Sequence, residues 1–503
     1  MQGTRIRLLV GGALLACSAV NVQAEALQPD PAWQQGSLDN GFSWQLLTTP
    51  QRPSDRTELR LVVRTGSLAE TAQQQGFAHF LPRISLIRSQ GFTTAQLHSF
   101  WQQSMDSHRP LTPVVSSYDY TSYNLSLPNN RPDLLKEALT WLVNAAGKMN
   151  IDSANVQAAL QAPQDPIDAM PGDTADAWWR YRITGSTLAG HDPSLVPANP
   201  IQADLLSKFY HQWYTPDAMT LYVVGNVDGR NMAEQINRTF SVLKGRREAP
   251  QTMPTLADMQ PKAMTVMDAS ATQDRLSLIW SMPWKPIQES TALNAYWRSD
   301  LAREALFWHL QQSMKSTAVA GQEAKTDGIA VPNLSFDCSV QYQIAQCAIR
   351  LDNPQEKVQE SLKQLGTELL KVRDKGITQA EFDTLIAQKQ DQLNKLFATY
   401  ARTDTGVLMA QRLRSQQNSV VDIAPEQYQK LRQKFLSSLT LEALNQELKQ
   451  QLSREPSMLL TQPKGEPEMD VQGLQGIYDA IMAPAVEAAP VAAPADGATT
   501  AAQ

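Results

Sequence analysis

The same order of strands and helices runs twice along this chain, and a repeat at this spacing confines it to a duplicated domain. In the first half, residues 44–48 and 59–64 have the apolar, β-branched character of strands, and 76–88 has the character of a helix. Residues 122–127 alternate as a strand and run into Asn129-Asn130-Arg131-Pro132, which reads as an Asn cap with proline in the first helical turn. An apolar stripe at helical spacing follows (Leu134, Leu135, Ala138, Leu139, Trp141, Leu142), then helices near 153–161 and 203–213, then an apolar strand at 219–224. The second half repeats this order. A strand is expected at 275–280, a helix at 300–313, and a strand at 347–351 leading into Asn353-Pro354 as a second Asn cap. A striped helix closed by Gly376, a helix at 378–397 opened by the capping box Thr378-x-x-Glu381, and a last strand at 458–461 complete it. Corresponding elements lie roughly 215 to 240 residues apart, far longer than a solenoid repeat. The fold class expected is therefore α+β, as two similar domains.

Residues 246–262 between the halves hold Pro250, Pro254 and Pro261 and no apolar period, so they read as a linker between domains at 33–245 and 263–465. Residues 482–503 are mostly Ala and Pro and cannot build a core, so a disordered tail is expected there. Residues 1–24 have the form of a secretory signal peptide: Arg5 and Arg7, an apolar stretch from Leu8 to Ala16, and a small-residue cleavage site ending at Ala24, with Glu25 opening the mature chain. A competing reading takes Leu14-Leu15-Ala16-Cys17 as a lipoprotein signal, although Leu15 is uncommon there. The short signal points to a bacterial periplasm. No later segment is apolar over the roughly 18 residues that a membrane span requires. Loss of residues 1–24 removes two arginines and no acid, taking the net charge from −6 to −8. A mildly acidic chain without basic runs is a poor partner for nucleic acid. Of three cysteines, Cys338 and Cys347 remain after the signal, on two strand-like runs around a polar turn. In an oxidising compartment they suggest a disulfide; two buried thiols are the alternative.

Three stretches carry more specific information. Thr65-Gly66-Ser67-Leu68-Ala69-Glu70 precedes Gly76-Phe77-Ala78-His79-Phe80-Leu81-Pro82-Arg83; Phe209 to Met219 runs into Val223-Val224-Gly225-Asn226; and Lys375 to Glu381 lies in the second half. In that order, on a duplicated framework, they resemble the pitrilysin/insulinase (inverzincin) family of zinc metallopeptidases over about residues 33–465. The resemblance implies two pitrilysin-like α+β domains that close like a clam around unfolded peptide, which can add as a strand to a sheet edge.

The family's catalytic zinc uses two histidines four residues apart, a glutamate between them that activates water, and a further glutamate some seventy-odd residues on. By resemblance the first ligand is His79. Pro82 replaces the base and has no proton-accepting side chain. Arg83 replaces the second ligand, and its guanidinium offers no lone pair. From Ser153 to Gln164 there is no Asp or Glu, and Ala159 and Leu160 stand where the last ligand is expected. The six histidines (79, 98, 108, 191, 211 and 309) show no metal-ligand spacing. No catalytic residue and no metal ligand set is therefore expected beyond the lone His79, and no cofactor. The leading expectation is a non-catalytic family member of the periplasm, binding unfolded peptide or pairing with an active pitrilysin-family subunit. The alternatives are an active zinc endopeptidase with a non-standard site, and an assembly protein with neither role. Tyr400, Arg402 and Arg412 are candidates, by composition only, for the substrate-gripping Arg and Tyr of the second domain.

Overall fold

The computed structural model describes residues 25–483 apart from 53, 110, 163–166, 173, 198–199, 249, 257–259, 323–332 and 354. The expected signal peptide with Ala24 and Cys17, and all but the first two residues of the expected tail, lie outside the described residues.

Each half builds one sheet. The first has β1 Trp33–Ser37, β2 Ser43–Thr48, β3 Thr57–Val63, β4 Val114–Ser117, β5 Thr121–Leu127, β6 Ile167–Met170 and β7 Met219–Gly225, ordered β1-β2-β7-β3-β5-β4-β6. The second has β8 Ala263–Asp268, β9 Asp274–Pro283, β10 Asn333–Gln341, β11 Ile344–Asn353 and β12 Ser457–Pro463, ordered β10-β11-β9-β12-β8. The two share one pattern. In both, the opening strand runs parallel to the closing strand (β2 with β7, β8 with β12), and antiparallel strands continue from there (β3, β5, β4 and β9, β11, β10). The first sheet adds β1 and β6 at its two edges. The α+β duplication expected from the sequence is what the chain forms.

Alternation along the strands explains how each sheet is covered. Leu46, Leu59, Leu61, Leu221 and Val223 face a core shared with helices Phe77–Ile87, Pro132–Gly147, Ala203–Trp213 and Gly229–Phe240. Their neighbours Leu47, Tyr222 and Val224 point the other way and meet Leu408 and Met409 from the second-half helix Thr405–Gln417. The second sheet is treated reciprocally. Leu278, Trp280, Ile349 and Leu460 face its own helices, while Ile279 and Ala348 pack on Trp178 from the first-half helix Ala177–Ile183. Each half therefore lends a helix to the other's inner face, and the seam between them is filled by apolar side chains.

Several elements differ in extent from expectation. Asn130 adopts a left-handed φ of 59°, and the helix Pro132–Gly147 takes Arg131, without a side-chain cap bond, at its N-cap. Pro132 does occupy the first turn. Asn353 ends β11 and accepts a hydrogen bond from Ser361; a short 3-10 turn, Gln355–Lys357, intervenes before the helix Val358–Lys375. The helix expected at 300–313 runs over Ser290–Gln322, and the one expected at 378–397 breaks at Lys395 into Gln379–Asn394 and Leu396–Arg402. The capping box at Thr378 and Glu381 is formed. The second core extends past 465, because Val471, Leu474 and Tyr478 of the helix Val471–Met482 are buried in it. It also takes in Leu27, ahead of residue 33, from a segment that bridges Ala26 to Glu289. The expected linker is tacked down along the first half: Arg247 bonds the Asp217 carboxylate through its backbone N–H, the Trp213 carbonyl through its guanidinium, and stacks over the Trp213 ring.

Candidate functional site

The helix Phe77–Ile87 carries the segment singled out in the sequence. Gly76, at φ 86°, turns the chain into it, a conformation that a side chain would strain. The loop before it is held close: a Cβ on Gly66 would collide with the Ser117 carbonyl. Glu70 then reaches under the helix start. Its two carboxylate oxygens accept the backbone N–H groups of Gly76 (2.9 Å) and Ala78 (2.6 Å). These are two of the donors that a helix N-terminus leaves without intrahelical partners. Burial outweighs those bonds and pushes the Glu70 carboxyl up to about 7.

His79 and Arg83 lie one turn apart on one face of this helix, and both are buried, at 4% and 9% exposure. Pro82 sits inside the helix between them, where it withholds the N–H that would bond the Ala78 carbonyl. The neighbouring helix Ser153–Leu160 packs on the Phe77–Ile87 helix, with Val156 and Ala159 buried in the first core; Leu160 is partly exposed. The carboxylate just ahead of it, Asp152, caps the helix by accepting the Asn155 N–H. The two helices that carry the expected zinc positions pack on each other, but the residues at those positions do not fit a zinc ion. One imidazole remains beside a permanent cation, a proline and a methyl group. Among the described residues no group of three or more His, Cys, Asp or Glu side chains is placed to hold a metal.

Cys338 and Cys347 lie directly opposite each other on β10 and β11, with Cα atoms 4.1 Å apart and the sulfurs joined as a disulfide. Arg412 and Tyr400 both work at the seam. Arg412 pairs with Asp422 (2.6 Å), bonds Gln45 and stacks over Trp33, while the Tyr400 ring and carbonyl receive Arg52. A cavity of about 490 Å³ opens between the halves and is lined by Arg56, Glu58, Arg60, Asp106, Arg109 and Asp404. These six are joined as Arg60–Glu58, Arg56–Asp106 and Arg109–Asp404, and Asp55 also lines the cavity, so its charges nearly balance with one acid in excess.

Sequence reasoning missed His309. Its Nδ1 lies 2.6 Å from Glu381 and its Nε2 3.5 Å from Glu368, joining three helices. Spacing gave no signal, since the two carboxylates are 59 and 72 residues away in sequence.

Comparison with known proteins agrees with this architecture. The family model "Insulinase (Peptidase family M16)" matches residues 46–176, and "Peptidase M16 inactive domain" matches residues 200–389. The chain belongs to the M16 (pitrilysin/insulinase) peptidase family. It is 57% identical to Protein YhjJ of Escherichia coli (strain K12), over 97% of this chain and 96% of that protein. It is 21% identical to the probable zinc protease PqqL of the same organism, over 88% of this chain and 46% of that protein. Among solved structures, a predicted insulinase family protease from Yersinia pestis superposes with a TM-score of 0.87 at 58% identity, covering 95% of this chain and 100% of that one. The first half of the periplasmic protease PqqL from Escherichia coli has a TM-score of 0.73 at 18% identity, over 92% and 99% of the two chains.

Proposed function

We propose that this chain is a non-catalytic M16 family member of the bacterial periplasm that binds unfolded peptide, or serves as partner to an active family subunit, without zinc of its own. The observation that carries this reading is the donor set: at His79, Pro82, Arg83 and Ala159 one lone-pair donor stands where zinc needs three, and nothing stands where water needs a base. Arg83, buried one helical turn from His79, supplies a guanidinium in place of a second imidazole. Losing two ligands removes the site by this mechanism. The likeness to PqqL of Escherichia coli, a periplasmic protease, supports the compartment, and the disulfide in the β10–β11 hairpin agrees with an oxidising one.

The filled seam bears on how peptide would be taken up. With the two inner sheet faces occupied by each other's helices, strand addition falls to the sheet edges, β1 and β6 in the first half and β10 and β8 in the second; of these we take the β6 edge, which packs on the Phe77–Ile87 helix, as the strand-adding surface. The match to one half of PqqL supports the partner role, in which another chain supplies the opposing half and the zinc. The test is metal content together with cleavage of a peptide library, with and without chelator. The expected result is no stoichiometric zinc and no cleavage. Stoichiometric zinc with chelator-sensitive cleavage would mean an active peptidase with a non-standard site.

A further inference from the structure

The β10–β11 hairpin ends in a two-residue turn, Tyr342-Gln343, whose φ angles are 48° and 66°. Turns of this hand favour Asn and Gly, because a bulky side chain is strained there. Here both positions carry long side chains. The turn is held by its surroundings: the Gln343 carbonyl accepts the Trp284 N–H at 2.7 Å. The Tyr342 ring crosses from the second half into an aromatic socket of the first. It meets Tyr118 edge-on at 5.8 Å between centroids and Trp179 at 6.5 Å. Leu68 and Leu188 line the same cluster, and Trp179 Nε1 donates to the Tyr118 hydroxyl. The Tyr342 hydroxyl lies 3.2 Å from Ser117 Oγ, which donates to the Met170 carbonyl at 2.8 Å. Met170 is the last residue of β6, and among the described residues β6 pairs with β4 on one side only.

We propose that Tyr342 is a built-in plug. The strained hairpin tip fills the socket at the end of the β6 edge, and it must swing out before an extended peptide can occupy both edge and socket. This rests on the peptide-binding reading above. Three observations separate a plug from simple glue between the halves. The seam is already closed by the Thr405–Gln417 helix without the tip. Two adjacent long side chains held at positive φ store backbone strain, of the kind found at ligand clamps and switch segments. Apart from Leu256 of the linker, the residues around the ring come from the first half, so Tyr342 is the second half's contribution to the socket and its withdrawal opens it. An aromatic or large apolar peptide side chain is what would replace the ring.

The test measures binding of fluorescein-labelled, reduced and carboxymethylated α-lactalbumin, a permanently unfolded polypeptide, by anisotropy. The chains compared are the wild type, Tyr342→Gly, Tyr342→Asn and Gln343→Gly. Gly and Asn both tolerate the left-handed turn, so Tyr342→Asn serves if Tyr342→Gly does not fold, as judged by circular dichroism. Both Tyr342 variants are expected to bind about tenfold tighter, the factor for a site that is open one-tenth of the time in the wild type. Gln343→Gly relaxes the turn with the ring in place, which favours the closed tip, and is expected to bind no tighter than the wild type. Hydrogen exchange over residues 114–121 should rise in the Tyr342 variants alone. Equal or weaker binding by both Tyr342 variants overturns the plug while leaving peptide binding standing. No binding by any of the chains overturns both.

Discussion

Glu70 shows how much a single buried carboxyl contributes to the motif helix. Burial raises its affinity for a proton to a pKa of about 7, against 4.5 for the free side chain. The folded state therefore holds a proton between those values that the unfolded chain has released. The resulting stability is full below about pH 4.5 and is lost as pH rises through 7, a swing of up to about 3 kcal/mol. Asp119, pushed up to about 6 by burial, tilts the profile the same way. Thermal melts between pH 5 and 8 should show the melting temperature falling as pH rises, and Glu70→Gln should flatten much of that slope. At the zinc-like positions, Pro82→Glu with Arg83→His restores the motif's letters. Ala159 still supplies no third ligand, so equilibrium dialysis is expected to find no tight zinc in this double variant. Adding Ala159→Glu is the variant in which zinc uptake is expected. The degenerate motif was legible residue by residue because its chemistry depends on side-chain identity. Glu70 was not, because its role depends on which backbone N–H groups the fold turns toward it.

At the scale of elements, the hairpin and the seam helix lend themselves to test. The disulfide closes a loop of sequence separation 9. Chain entropy gives such a small loop about 2–3 kcal/mol, so Cys338→Ser with Cys347→Ser should lower stability by no more than that in chemical denaturation. The Thr405–Gln417 helix buries Leu408 and Met409 against the inner face of the first sheet. Leu408→Ala should cost about 2–4 kcal/mol and raise hydrogen exchange in β3 and β7, although those strands belong to the other half. Strands and helices with an apolar period of their own were legible: β3, β5, β7, β11 and the helix Ala203–Trp213 fall close to where periodicity places them. The helices Thr405–Gln417 and Ala177–Ile183 were not, because their buried residues are few and are split between faces, with Leu408, Met409 and Trp178 meeting the other half. β1, β4, β6 and β8 escaped as well. They are short, and all four except β4 lie at sheet edges, where one hydrogen-bonding side and a few buried residues leave little pattern.

For the molecule as a whole, the segment from Glu25 to Asp30 is the least expected contributor. It precedes the first sheet in sequence but docks on the second half. The Ser290 N–H donates to the Glu25 carbonyl, Leu27 N–H to Gln288, and Asp30 N–H to Asp422, with the Leu27 side chain buried in the second core. Leu27→Asp should therefore lower the melting temperature of the chain and increase protease cutting near the seam, while an exposed change such as Gln28→Asp should do neither. With reciprocal helices across the seam as well, the halves are expected to unfold in one transition in calorimetry. By itself the sequence determined the duplication, the α+β class, the family and the loss of the zinc donors, because periodicity and side-chain chemistry are local properties. Only the tertiary structure decided that the two halves fill each other's inner faces, that the N-terminal segment belongs to the second core, and that Tyr342 sits in the other half's aromatic socket. Those contacts join residues hundreds of positions apart, and no local pattern records which distant apolar face a side chain will meet.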